Sequence, residues 1–274
     1  MRHSRQIGIG GALALTGAAA FAIAAWARGK PRATEIGRIA YTPTNTLKGV
    51  GEDIWIVDGE PISAMGLVMP LRMTVIRLGD GTLLLHSAIR WTPDLAAKIA
   101  ELGPVRHLVA PTIAHWKFLK DWQRACPDAV SWAVPGLRDR LQVRASGLRI
   151  ERELDVTAPK EWSSDLQQGL VRGTGFVEAY LFHKPSRTLV LADLVENLEP
   201  ARLPPVSAAA ARLARATDGR PAAHVRAAIL LGGSQARQDI REMVALEPEK
   251  VVFAHGDWFA DNGAAQLRRA FGSS

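Results

Sequence analysis

With 274 residues, 47% of them hydrophobic and 22% charged, the chain can form one large domain or two small ones and can bury a true core. Its net charge of +7 raises the question of nucleic acid. However, lysine and arginine are spread along the chain without a dense basic run, and the eight tryptophans are scattered rather than set as a stacking platform. Nucleic acid is therefore excluded as a partner, and the charge fits a solvated surface, an anionic substrate or an anionic membrane.

The first six residues, MRHSRQ, are basic, and Ile7 to Ala27 follows without a charge. A run of this length can span a bilayer, which takes about 20 apolar residues. It also ends in Ala25-Trp26-Ala27, a small-x-small pattern open to signal peptidase. Residues 1–33 are thus a signal peptide or membrane anchor, with cleavage and retention both open. Arg2 and Arg5 favour an inside N-terminus, while Arg28, Lys30 and Arg32 pull the other way. The reading favours export, with the body on the periplasmic side and contact with the membrane through this segment. The single Cys126 cannot form an internal disulfide and does not decide the compartment.

Residues 34–46, with Gly37 and Pro43, read as a linker into a domain spanning 47–274. Strands are expected at 53–58 (DIWIVD) and 72–78 (RMTVIRL), the latter turning through Gly79-Asp80-Gly81 into 82–86 (TLLLH) as a hairpin. A helix over 93–102 follows, with Thr92 as N-cap, Pro93 at its first position and Gly103 past its end. Then come a buried strand at 105–110, a helix over 117–126 and a short strand at 131–134; 137–170 is less regular. Strands at 169–172, 179–183 and 188–193 lead to helices over 206–217 and 235–246, a strand at 251–255 and a closing helix over 264–271. Strands in two batches, each followed by helices, predict sheets covered by helices.

The ends of these strands carry the chemistry. In chain order they deliver His86, then His115 five residues past the 105–110 strand, then Asp193, then His255. Imidazoles and carboxylates are the usual ligands of a catalytic zinc, which takes three or four protein groups and leaves a position for water. Taken singly, Asp193 could cap the next segment and His255 could be a turn residue beside Gly256. His107 lies inside a strand and reads as a packed residue, His183 sits at the opposite end of its hairpin from Asp193, and Ser87 reads as a strand-end hydrogen bonder.

The motifs DIWIVDG (53–59), LLLHSAI (83–89), LGPVRHLVAPTIAHWKFLKDW (102–122), HKPSRTLVLADL (183–194) and VVFAHGD (251–257) resemble those of the metallo-β-lactamase-like superfamily. The resemblance is closest to an uncharacterised domain-of-unknown-function family of that fold. It implies an α/β protein of the α+β type, a four-layer αββα sandwich, and places His115, Asp193 and His255 at a catalytic metal site, with His86 as a further candidate ligand. The chain departs from the superfamily pattern in two ways. Residues 111–117 read PTIAHWK where HxHxDH stands in the superfamily, and the middle histidine is missing from LVRGTG (170–175). Lys117, close to where the superfamily's water-side Asp lies, cannot take its role. The resemblance then implies a mononuclear metal-dependent hydrolase using zinc, iron or manganese. The alternative is a binding or structural protein at the membrane that has kept the fold and holds no metal. A serine hydrolase built on Gly232-Gly233-Ser234-Gln235-Ala236, Asp239 and His255 is disfavoured. The final glycine is Ala236, Ser234 lies too close to His255 in sequence, and Ser234 reads as the N-cap of the helix starting at Gln235.

Overall fold

The computed structural model describes residues 33–64 and 66–272. The apolar segment 7–27 lies outside these residues, and among the described residues no helix is long and apolar enough to cross a membrane. The stretch read as a linker carries a helix, α1 (Ala33–Ile39), whose Ile39 is fully buried against Leu198, Leu203 and Ala208.

Seven strands form the first sheet in the order β1 (Leu47–Gly51), β2 (Ile54–Asp58), β5 (Arg72–Arg77), β6 (Leu83–His86), β7 (Val105–Ala110), β8 (Val130–Ala133) and β9 (Arg152–Glu153). Pairing is antiparallel from β1 to β6 and parallel from β6 to β9. A two-stranded hairpin, β3 (Ile62–Ala64) with β4 (Leu67–Met69), branches off between β2 and β5. The β5–β6 turn forms as its sequence demands: Gly81 takes φ +82°, where a side chain would be strained, and the Asp80 carboxylate accepts the Thr82 N–H at 2.9 Å.

Four strands form the second sheet, β10 (Leu166–Gly173), β11 (Phe176–His183), β12 (Thr188–Val190) and β13 (Lys250–Val252), the last pair parallel. Alternation along these strands splits their side chains between two cores. Ala179, Leu181, Val190 and Val252 join the core shared with the first sheet, while Tyr180, Phe182, Leu189 and Val251 face the helices outside. Those helices are α6 (Ala223–Leu231), α7 (Gly233–Val244) and α8 (Gly263–Phe271), which contribute Val225, Ile240, Met243 and Leu267. The first sheet is covered by α2 (Pro93–Ala100) and α3 (Leu119–Ala125), which bury Leu95, Ile99, Leu119 and Trp122. The result is the expected αββα sandwich.

Helix α2 starts as read, with the Thr92 hydroxyl accepting the Leu95 N–H at 3.2 Å. Helix α7 does not: it begins at Gly233, so Ser234 lies inside its first turn and makes no capping bond. Seven elements were not anticipated: α1, β1, the two strands of the β3–β4 hairpin, α4 (Leu141–Ser146), the two-residue β9 and helix α6. The ladders of β12 and β13 stop at Val190 and Val252, short of the predicted ends. The backbones stay linked beyond them through Leu191 N–H to Val252 O and Ala254 N–H to Ala192 O. Asp193 and His255 are therefore held at paired strand ends, on segments that have left the sheet and can turn their side chains toward the first sheet. Helix α5 (Pro205–Leu213) lies in the long connection between β12 and α6.

Candidate metal centre

Parallel strands β6, β7, β12 and β13 each end at one edge of the sandwich, where ligands of α/β folds usually bind. Three of the four candidate side chains meet there. His115 Nε2 lies 2.9 Å from Asp193 Oδ1, His255 Nε2 lies 3.3 Å from the same oxygen, and the two Nε2 atoms are 3.3 Å apart.

Each of the three is held from behind. The Pro70 carbonyl is 2.8 Å from His255 Nδ1 and can only accept, so the ring carries its proton on Nδ1 and turns a bare Nε2 toward the trio when neutral. The Ser87 hydroxyl lies 2.6 Å from His115 Nδ1 and donates to the Arg72 carbonyl at 3.2 Å. With its one proton so used, Ser87 accepts from Nδ1–H of His115, which leaves the second Nε2 bare. Thr112 donates to Asp193 Oδ2 at 2.8 Å, leaving Oδ1 for the trio.

Three lone-pair donors within 4.8 Å of one another cannot satisfy each other without a cation or a proton among them. For metal bonds of about 2.0–2.1 Å, a coordination tetrahedron has edges of about 3.3–3.4 Å, close to the separations of 2.9, 3.3 and 3.3 Å found among these atoms. The donor set therefore fits one divalent metal. Among the described residues no second group of three or more candidate ligands forms, in keeping with the thinned HxHxDH motif.

The charge around the trio points the same way. Among the described residues no Lys or Arg pairs with Asp193, Glu178 or Glu196. Burial pushes Glu178 up to about 8, reinforced by the Asp193 charge, and pushes Glu196 up to about 7. Burial also opposes the ionisation of Asp193, but His115 and His255 outweigh it and hold this carboxyl well below the usual range. For His255, burial disfavours the imidazolium, yet the Asp193 carboxylate outweighs burial and raises its pKa.

Glu178 was missed by sequence reading. It is fully buried on β11 and accepts the N–H groups of Ala192 and Asp193 at 2.7 and 2.8 Å, so it fixes the backbone that presents Asp193. Its signal was an acidic residue inside the apolar strand FVEAYLFH. Arg72 and Asp58 were likewise unmarked. Ser87, read as a simple strand-end bonder, is the partner of His115. It reaches that position with φ +58°, a left-handed backbone that turns the chain out of β6.

His86 is placed at the end of β6 but outside the trio. It is fully buried, and neither ring nitrogen makes a hydrogen bond of good geometry, although the Ala179 backbone lies near enough to favour its protonated form. Burial, aided by the neighbouring His115, lowers its pKa to about 3, so the ring is neutral at any ordinary pH. A buried polar group left unpaired costs about 1–3 kcal/mol. His86→Met, apolar and of similar size, is therefore expected to raise stability by about that amount in urea denaturation of the metal-free protein. A loss of stability instead would show that the ring has a partner in solution.

The remaining candidates fall where packing puts them. His107 accepts from Trp132 Nε1 at 3.3 Å and meets the Trp162 ring edge-on. His183 bonds Ser186 in the β11–β12 turn. Asp239 is taken by Arg172 at 2.7 and 3.0 Å, so the serine-hydrolase grouping does not assemble.

Comparison with known proteins agrees with this architecture. The family model described as Domain of unknown function (DUF4336) matches residues 51–228. Among solved structures, the metallo-beta-lactamase from Pontibacter korlensis aligns at 14% identity over 81% of this chain and 98% of its own, with a TM-score of 0.52. DIM-1 metallo-beta-lactamase aligns at 13% identity over 82% of this chain and 94% of its own, with a TM-score of 0.56. TMB-1 aligns at 11% identity over 83% and 98%, with a TM-score of 0.55. At these identities the likeness establishes the fold. No curated protein matches the sequence.

Proposed function

From the chain's membership of the DUF4336 family, and from the three converging donors at its strand ends, we propose that this protein is a metal-dependent hydrolase with one divalent ion held by His115, Asp193 and His255. The observation that carries the reading is the convergence of two imidazole Nε2 atoms on one carboxylate oxygen. A divalent ion in this position acts as a Lewis acid and supplies hydroxide at neutral pH. The protein's own part is to fix the donors: Pro70 and Ser87 set the two rings, Thr112 turns Asp193, and Glu178 holds its backbone. Glu196, half-buried three residues past Asp193 and raised to about 7, is placed to exchange a proton there near neutrality.

The competing reading is a scaffold that holds no metal. It is favoured by the unpartnered His86 and by the three-donor set, fewer ligands than the superfamily motif provides. Elemental analysis of dialysed protein separates the two. Wild type is expected to retain close to one equivalent of zinc, iron or manganese, and the His115→Ala/Asp193→Ala variant none. Folded wild type without metal, and without uptake on titration with Zn²⁺, would sink the hydrolase reading.

A further inference from the structure

The sandwich carries a second surface that the metal site does not use. Residues 201–241 hold seven arginines against two aspartates, a balance of +5 out of the whole chain's +7. One of those aspartates, Asp239, is already paired with Arg172. Arg212, Arg215 and Arg226 are exposed and, among the described residues, pair with no carboxylate. The surplus escapes notice in the sequence because α5, α6 and the loop between them space the arginines apart.

The same segment exposes its leucines. Leu213 is 87% exposed, Leu230 69% and Leu231 73%; among the described residues only Leu141 and Val156 are other large hydrophobic side chains that stand exposed, and neither lies on this segment. On α6 the inner positions Val225 and Ile229 face the core, while Ala223, Ala227, Leu230 and Leu231 form the outer stripe with Arg226 beside them. Leu213 closes α5 next to Arg212, and the following Ala214 carbonyl accepts the Ala223 N–H at 2.7 Å, which ties the end of α5 to the start of α6.

A third observation identifies the occupant. Helix α1 packs through Ile39 on Ala208 and Ala211 of α5, and on Ala216 and Ala222, so the chain enters the fold on this helical layer. Only residues 28–32 separate Ala33 from the uncharged run 7–27, a tether of at most about 20 Å even when fully extended. Exposed leucines flanked by unpaired arginines are the composition of a face that lies in a headgroup layer, where the apolar tips enter and the guanidinium groups meet phosphate.

We propose that the α5–α6 face docks on a bilayer of anionic phospholipid, with Leu213, Leu230 and Leu231 entering the interface and Arg212, Arg215 and Arg226 contacting lipid phosphates. This surface is independent of the metal reading.

The test uses the full chain reconstituted in vesicles of phosphatidylcholine with or without phosphatidylglycerol, on a Cys126→Ser background. An environment-sensitive fluorophore is attached at Ala227→Cys on the outer stripe, or at Lys98→Cys on α2 of the opposite layer. With phosphatidylglycerol, the label at 227 should shift to the blue, be quenched by brominated lipid and be shielded from iodide, while the label at 98 stays open to iodide. Each arginine at an anionic surface contributes about fivefold, so Arg212→Gln/Arg215→Gln/Arg226→Gln should lower the ratio of docked to undocked protein on the order of a hundredfold. Vesicle retention through the N-terminal segment should not change in that variant. Equal iodide access at 227 and 98 in phosphatidylglycerol vesicles would overturn the proposal. So would shielding at 227 that is unchanged in phosphatidylcholine alone and rises with protein concentration, since that behaviour belongs to a contact between copies of the chain.

Discussion

Arg72→Met is expected to cost about 3–5 kcal/mol of folding stability and to weaken metal binding along with it. Arg72 and Asp58 form an ion pair at 2.8 Å with side chains only 2% and 3% exposed. The same guanidinium donates to the Phe253 and Gly256 carbonyls at 3.2 and 2.7 Å, on either side of His255. Methionine fills the space of the stem but leaves Asp58 buried with only Lys48 at 2.8 Å, and it orphans two buried carbonyls. Gly256 cannot relax to compensate. It holds φ +98° with Asn197 O 2.0 Å from where a Cβ would stand, so the segment is packed backbone to backbone. Arg72→Lys keeps the charge without the planar fork and should fall between wild type and methionine. The measurement is urea denaturation of metal-free protein, with Asp58→Asn completing a double-mutant cycle. A loss below about 1 kcal/mol, or no coupling between the two positions, would show that the pair does not hold the His255 segment.

The sequence disclosed this site unevenly, and the reasons are physical. Asp193 and His255 could be read because each closes a short apolar run, and the pairing of β12 with β13 sets such ends side by side. His115 was legible only by its place five residues past the 105–110 strand and by the motif around it, since no periodicity governs the loop after β7. His86 illustrates the limit of reading strand ends: it ends β6 as Asp193 follows β12, yet the pleat sends its ring into the interior, while Ser87, one residue on with φ +58°, reaches His115 instead. Glu178 and Arg72 lie within strands whose patterns announce only a core. Their roles come from contacts 14 to 184 residues away in sequence, which local pattern does not encode. Helix α6 was missed because Pro221 and the apolar run ILL obscure its period, and its outer stripe is apolar where a solvent-facing stripe should be polar. That mismatch between pattern and exposure is itself what marks the α5–α6 face.

Metal uptake should strengthen by about a hundredfold between pH 6 and 8 for each proton the ion displaces over that range. Asp193 is already ionised there, because the two histidines beside it hold its carboxyl well below the usual range. His255 is not ready: its pKa is raised, so below that value a proton occupies the Nε2 position the metal needs. Glu178, raised to about 8, and Glu196, raised to about 7, are largely neutral at pH 6, and a cation beside them favours their ionisation. Binding thus expels protons, and the affinity climbs with pH.

The metal-free protein moves the other way. A His with a raised folded pKa contributes stability that is present below its unfolded value near 6.5 and lost as pH rises through the folded one. A carboxyl raised by burial costs nothing while neutral, and destabilises increasingly from its unfolded value near 4.3 up to its folded one. All three groups therefore make the apoprotein less stable between pH 5 and 8, while the depressed Asp193 withdraws its stabilisation only at acid pH, as the carboxylate is protonated. The melting temperature of the apoprotein should fall from pH 6 to 8, and the increment from added Zn²⁺ should widen. Calorimetric titration in buffers of different ionisation enthalpy counts the protons released. In Glu178→Gln, whose side chain cannot titrate, the slope of affinity against pH should flatten. A wild-type affinity that does not change with pH would mean that the ion binds somewhere other than between His255 and Asp193.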